Sequence, residues 1–94
     1  MKKTEQKDIE LLKKTVDHFS QAMKIKLIEC AKRGKTGWDG KYSESELIER
    51  IIEDANGIHN VPLSENKKDR AVDIANRSMM IWYLHYGKAL MQAD

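Results

Sequence analysis

Residues 4–33, TEQKDIELLKKTVDHFSQAMKIKLIECAKR, decide the fold. No proline or glycine interrupts them, and apolar residues fall at Ile9, Leu12, Val16, Phe19 and Met23, then at Leu27, Cys30 and Ala31. Steps of three and four place these side chains on one face of a helix that buries a single stripe. Asp17, His18 and Ser20 are weaker helix formers clustered mid-way, and they predict a kink or break near 17–20. Gly34 is the expected stop, with Lys32 and Arg33 in the last turn where cations suit the helix dipole.

Working outward, residues 34–42 read as a basic loop punctuated by glycine, ending in Gly37-Trp38-Asp39-Gly40. Ser43 followed by Glu46 is a capping-box pair that opens a second, short helix. Its stripe is Leu47, Ile48, Ile51, Ile52 and Ala55, and Asn56-Gly57 is expected to close it. A second loop reaches about Asn66 and carries the single proline, Pro62. The third helix is expected over about 67–91, with Val72, Ala75, Met79, Trp82, Tyr86 and Leu90 on one face. Ile74, Ile81 and Leu84 widen that surface, which points to contact on two sides, within the subunit and between subunits. No strand pattern or repeat appears. The fold class is all-α: one domain over 1–94, with a long, kink-prone N-terminal helix, a short middle helix and a long C-terminal helix.

A chain of 94 residues with six aromatics has a small core, and such chains often complete it against copies of themselves. A homo-oligomer is therefore expected. Net charge is only +2, too little for whole-molecule attraction to DNA or RNA. Its distribution says more. Residues 1–42 carry eleven Lys/Arg against six Asp/Glu, and residues 43–94 carry six against nine. The basic half suits an anionic ligand or the acidic half of a neighbouring subunit. Cys30 has no partner for an intrachain disulfide, which fits a reducing interior, and on a helical apolar stripe it reads as a small hydrophobe rather than a nucleophile. The N-terminal Met-Lys-Lys-Thr-Glu-Gln-Lys-Asp lacks an apolar run behind it, so neither a signal peptide nor a membrane anchor is expected, and the cytoplasm is the expected compartment.

Lys26 is the first candidate for chemistry. The seven-residue pattern that runs through Ile9, Leu12, Val16, Phe19 and Met23 reaches position 26 next, where a lysine stands instead of an apolar residue. One reading has it snorkel to water while Leu27 takes its place in the packing. The other makes it a phosphate-binding lysine at the margin of a helix–helix interface. Lys24, Arg33 and Lys35 add to the local positive charge. Arg33-Gly34-Lys35-Thr36-Gly37 offers glycine N–H groups and Lys/Thr donors to an anion, but it lacks Walker A spacing and follows a helix rather than a strand. Trp38 and Asp39 could serve as a stacking platform or a metal ligand, but the preferred reading is a plug over the core for Trp38 and a turn-binding aspartate for Asp39. His18, His59 and His85 stand at no zinc-ligand spacing, and neither a metal nor another cofactor is expected.

Glu49, Glu53 and Asp54 with Asp69 and Asp73 frame the enzyme alternative, a Mg²⁺ site between helices. The segment Ala71-Val72-Asp73-Ile74-Ala75-Asn76-Arg77-Ser78-Met79-Met80-Ile81 resembles the third helix of MazG-type nucleotide pyrophosphohydrolases. The likeness fails at the metal: the acidic cluster of the middle helix is reduced to Glu49 and Glu53-Asp54. Arg70 stands where an acid is expected three residues before Asp73, and its positive charge opposes a cation there. A helical protein–protein adaptor is a third reading.

Met-Lys-x-Lys-Leu at 23–27, Lys-x-Gly-Trp-Asp at 35–39 and Val-Asp-Ile-Ala-Asn-x-x-Met-Met at 72–80 together resemble the small phage anti-CBASS proteins that sequester cyclic oligonucleotide signals. The resemblance covers most of the chain after residue 20. It implies head-to-tail dimers through the N-terminal helices, a hexamer built as a trimer of dimers, and cyclic dinucleotides held between paired N-terminal helices without being cut. It also implies a separate site for cyclic trinucleotides. The family's phosphate-binding lysine matches Lys26. Its base-stacking tyrosine has no counterpart, since no tyrosine precedes Tyr42, and His18 or Phe19 are the substitutes. Arg33, Thr36, Arg70 and Arg77 are the candidates for a trinucleotide. The expectation is a non-enzymatic nucleotide sponge for immune evasion, with no membrane, DNA or RNA partner.

Overall fold

A computed structural model describes residues 2–35, 37–60 and 66–92. Thr36, Pro62 and the side chain of Asp39 lie outside that description. The described chain is all-helical: α1 (Lys3–Lys32), α2 (Trp38–Lys41), α3 (Glu44–Asn60), α4 (Asn66–Trp82), a π-helical turn at Tyr83–Gly87, and α5 (Lys88–Gln92). None of these helices is long and apolar enough to cross a membrane.

The expected break in α1 near 17–20 does not occur, and the helix runs continuously for 30 residues. Its mid-helix hydroxyls are satisfied by the helix itself: Thr15 Oγ1 donates to the Leu11 carbonyl at 2.7 Å and Ser20 Oγ to the Asp17 carbonyl at 3.1 Å. Back-bonding of this kind leaves the helix continuous here, although in general it slightly weakens and bends helices. Gly34 does end the helix, at φ 87°. Gly34 N–H donates to Ala31 O at 3.0 Å and Lys35 N–H to Cys30 O at 3.0 Å, the two bonds of a Schellman motif. Gly37, at φ 75°, supplies the second left-handed turn that starts α2.

Ser43 caps α3 as expected. Its Oγ accepts from the Glu46 N–H at 3.2 Å and donates to the Glu46 carboxylate at 3.2 Å. Ser43→Ala is expected to lower stability by about 1 kcal/mol, read as a drop in thermal midpoint. Contrary to expectation, α3 does not close at Asn56-Gly57 but continues to Asn60. A Cβ at Gly57 would collide with the Arg70 guanidinium, so glycine here leaves room for that side chain to lie against α3.

The main interhelical packing joins α3 to α4, and α1 lies against α4 more sparingly. Leu47 and Val72 are the buried apolar side chains. Along α1, every residue from Lys3 to Phe19 is exposed, whereas Ser20, Ala22, Met23, Lys26, Leu27 and Cys30 are half-buried against the rest of the chain. The expected burial of the stripe therefore fails for its first half: Ile9, Leu12, Val16 and Phe19 face outward within one protomer. The stripe read for α3 is also too wide, since Ile48, Ile52 and Ala55 are exposed and only Leu47 and Ile51 turn inward. On the C-terminal helix Val72, Ala75 and Met79 pack, while Trp82, Tyr86 and Leu90 from the same face are exposed. The projecting arm of α1 accounts for a radius of gyration of 15.9 Å, against about 12 Å for a compact domain of this length.

Candidate functional site

The two glycine turns after α1 fold the chain back so that α2 and the start of α3 face the C-terminal half of α1 and the middle of α4. Between them lies an open cavity of about 350 Å³, toward the small end for a ligand pocket. Leu27, Ile28, Ala31, Leu47, Met79 and Met80 give it an apolar floor, and Trp38 and Tyr42 form aromatic walls. Lys26, Lys35, Lys41, Arg50 and Arg77 line it with positive charge, opposed by one lining carboxylate, Asp73.

The aromatic walls are held in place. Trp38 meets Tyr83 of the π-helical turn edge-on, with ring centroids 4.9 Å apart at 64°, a favourable quadrupolar geometry. The Arg50 guanidinium lies 5.3 Å from the Tyr42 ring centroid and the Lys41 ammonium 5.6 Å from it, both within cation–π range. Tyr42 thereby fixes two cations at the rim. Lys35, Lys41 and Arg50 make no ion pair with the described residues.

The other cations are engaged. Lys26 Nζ lies 2.7 Å from Asp73 Oδ1, each side chain about one-third exposed. The seam lysine thus neither snorkels into bulk water nor stands unpaired, because α4 supplies its counter-ion. Across the α3–α4 interface, Asp54 is only 14% exposed and is held by Arg70 at 3.3 Å and by Arg77. Two guanidiniums on one carboxylate leave that cluster net positive. Two of the five carboxylates on which a magnesium site would draw are accordingly occupied, Asp54 by arginines and Asp73 by Lys26. Among the described residues, no three His, Cys, Asp or Glu side chains gather at metal-binding distance.

Of the residues singled out from sequence, Lys26, Lys35 and Arg77 meet in the cavity. Arg70 stands behind it on Asp54. Arg33 is exposed beside it, Nη2 3.7 Å from Cys30 Sγ. His18, Phe19 and Lys24 are exposed on α1 and do not line the cavity. Trp38 is half-buried, packs edge-on against Tyr83 and presents a wall to the cavity. Lys41, Tyr42, Arg50 and Asn76 were not anticipated. The spacing within Lys41-Tyr42 is uninformative by itself, and only the fold-back over α4 gives it meaning. Comparison with protein-family models, curated proteins and solved structures finds no match to this chain.

Proposed function

We propose that this chain is a non-catalytic, homo-oligomeric binder of cyclic oligonucleotides that withholds them from CBASS-type antiviral defence. The observation that carries the reading is the cavity itself, where a rim of lysine and arginine surrounds aromatic walls and an apolar floor. Phosphates suit the rim and planar bases suit the walls. Each charge-assisted hydrogen bond to phosphate contributes roughly 1.5–3 kcal/mol. The likeness of residues 23–27, 35–39 and 72–80 to the phage anti-CBASS proteins supports the choice of cyclic ligands and of immune evasion as the role. The occupied carboxylates support binding over a MazG-like hydrolysis. A second copy, packed on the outward stripe of α1, extends the same reading to the proposed dimer and to a hexamer of three dimers.

Lys26 has a specific part in this proposal. A phosphate arriving beside it shares the ammonium with Asp73, so removal of the lysine leaves a half-buried carboxylate facing the ligand. Lys26→Ala is therefore expected to weaken cyclic dinucleotide binding by at least about tenfold, since each 1.4 kcal/mol is a factor of ten. Calorimetric titration with cyclic di- and trinucleotides measures this. Intact ligand recovered after denaturation supports sequestration, and pyrophosphate released from dNTPs with Mg²⁺ supports the hydrolase instead. Undiminished affinity in Lys26→Ala would remove this residue from the site.

A further inference from the structure

Asn76 is the one buried polar residue among the described residues, 5% exposed, and it lines the cavity. Its Nδ2 donates to the Met23 carbonyl of α1 at 3.5 Å, the outer limit of a hydrogen bond. Its Oδ1 accepts no hydrogen bond from any described residue. The amide orientation is not arbitrary. Exchanging oxygen and nitrogen would set Oδ1 against the Met23 carbonyl, oxygen to oxygen, and lose even the long bond. A buried acceptor without a donor is costly, and it persists in folded proteins where something else satisfies it.

Resting on the nucleotide-binding reading of this cavity, we propose that Asn76 recognises an adenine base. A carboxamide presents an acceptor and a donor side by side. Adenine presents the complement, an exocyclic amino donor beside a ring-nitrogen acceptor, and asparagine pairs with it in a bidentate manner. Oδ1 accepts from the amino group while Nδ2 gives its second hydrogen to the ring nitrogen. Oδ1 is itself buried, so pairing requires the amide to turn about Cβ–Cγ, a broad torsion, and the hydrogen bond that opposes this turn is the 3.5 Å contact to Met23. Hypoxanthine reverses this edge, replacing the amino donor by a carbonyl acceptor that meets Oδ1 head-on. The surrounding rim and aromatic walls hold the rest of the nucleotide, so Asn76 sets which base is preferred rather than whether phosphate binds.

The test titrates the wild-type protein and Asn76→Leu with cyclic di-AMP and cyclic di-IMP, and follows the Asn76 side-chain NH₂ pair by ¹⁵N–¹H NMR. Wild type is expected to prefer cyclic di-AMP by about tenfold or more, with the Asn76 NH₂ resonances shifting on its addition. Asn76→Leu is expected to bind both ligands within about threefold of each other. Should that variant not fold, the wild-type preference and the NH₂ shifts decide. Binding of both ligands to wild type with equal affinity, or unmoved NH₂ resonances, overturns the role of Asn76 and leaves the binding function standing. Binding of neither overturns both.

Discussion

Leu47→Ala is expected to lower the unfolding free energy by about 2–5 kcal/mol, the range for truncating a buried leucine. Leu47 is 2% exposed and, with Val72, makes up the buried apolar core among the described residues. Domains of this kind rest on about 5–15 kcal/mol in total, so the loss is a large share. The position also matters geometrically. Leu47 lies one turn after the Ser43 cap, where α3 meets α4, and it lines the cavity floor. A void there loosens the element that carries Arg50, so affinity for an anionic ligand should fall along with stability. Urea unfolding at fixed protein concentration measures the first effect, because the midpoint of an oligomer moves with concentration. Ile52→Ala is the companion measurement: this residue is 54% exposed on the same helix, and a change within about 0.5 kcal/mol is expected if its face is free. A Leu47→Ala protein as stable as wild type would mean that α3 is docked by something other than this side chain.

What the sequence reveals and what it conceals divide along a physical line. Features governed by neighbours in the chain are legible. The 3–4 spacing marks α1, Gly34 ends it because a left-handed residue favours glycine, and Ser43 with Glu46 opens α3. The misreadings arise where distant residues intervene. Asn56-Gly57 has the composition of a helix end, and glycine inside a helix costs about 1 kcal/mol relative to alanine. The helix nevertheless continues to Asn60, and at Gly57 the missing side chain leaves room for Arg70 to reach Asp54 on the preceding turn. Lys26 stands out in the heptad pattern, but its partner, Asp73, is supplied by a helix 47 positions later. Asn76 stands in the sequence only as part of the Val-Asp-Ile-Ala-Asn motif, and its unpaired acceptor exists only once α1 and α4 have packed. Trp38 and Tyr42 become cavity walls for the same reason. The stripe on α1 is the converse case: the pattern is plain in the sequence, and the single chain leaves it without a surface to cover it.

Charging that stripe has the largest expected effect of all. Ile9 is 38% exposed, Leu12 64%, Val16 62% and Phe19 37%, and they follow the alternating spacing of a coiled-coil seam. A free helical arm of this length, bearing its apolar stripe to water, is marginal by itself, because isolated helices draw most of their stability from packing. On the proposed self-association, Leu12 and Val16 from two chains bury four side chains, worth about 6–12 kcal/mol at 1.5–3 kcal/mol each. Leu12→Glu with Val16→Glu replaces that gain by four carboxylates in an apolar seam, which is costly without partners. The expected outcome is dissociation: a mass by light scattering that falls from a multiple of the chain to about the 10.9 kDa of one protomer, with affinity between chains weakened more than a thousandfold. The first half of α1 should lose helicity at the same time, visible as a reduced 222 nm signal, while α3 and α4 keep theirs because their contact does not involve this segment. Glutamate at Lys13 and Lys14, outside the stripe, changes the charge by more yet should leave the mass unaltered. If wild type already behaves as a single chain at tens of micromolar, with α1 fully helical, then another partner covers the stripe and the proposed dimer through the N-terminal helices falls with it.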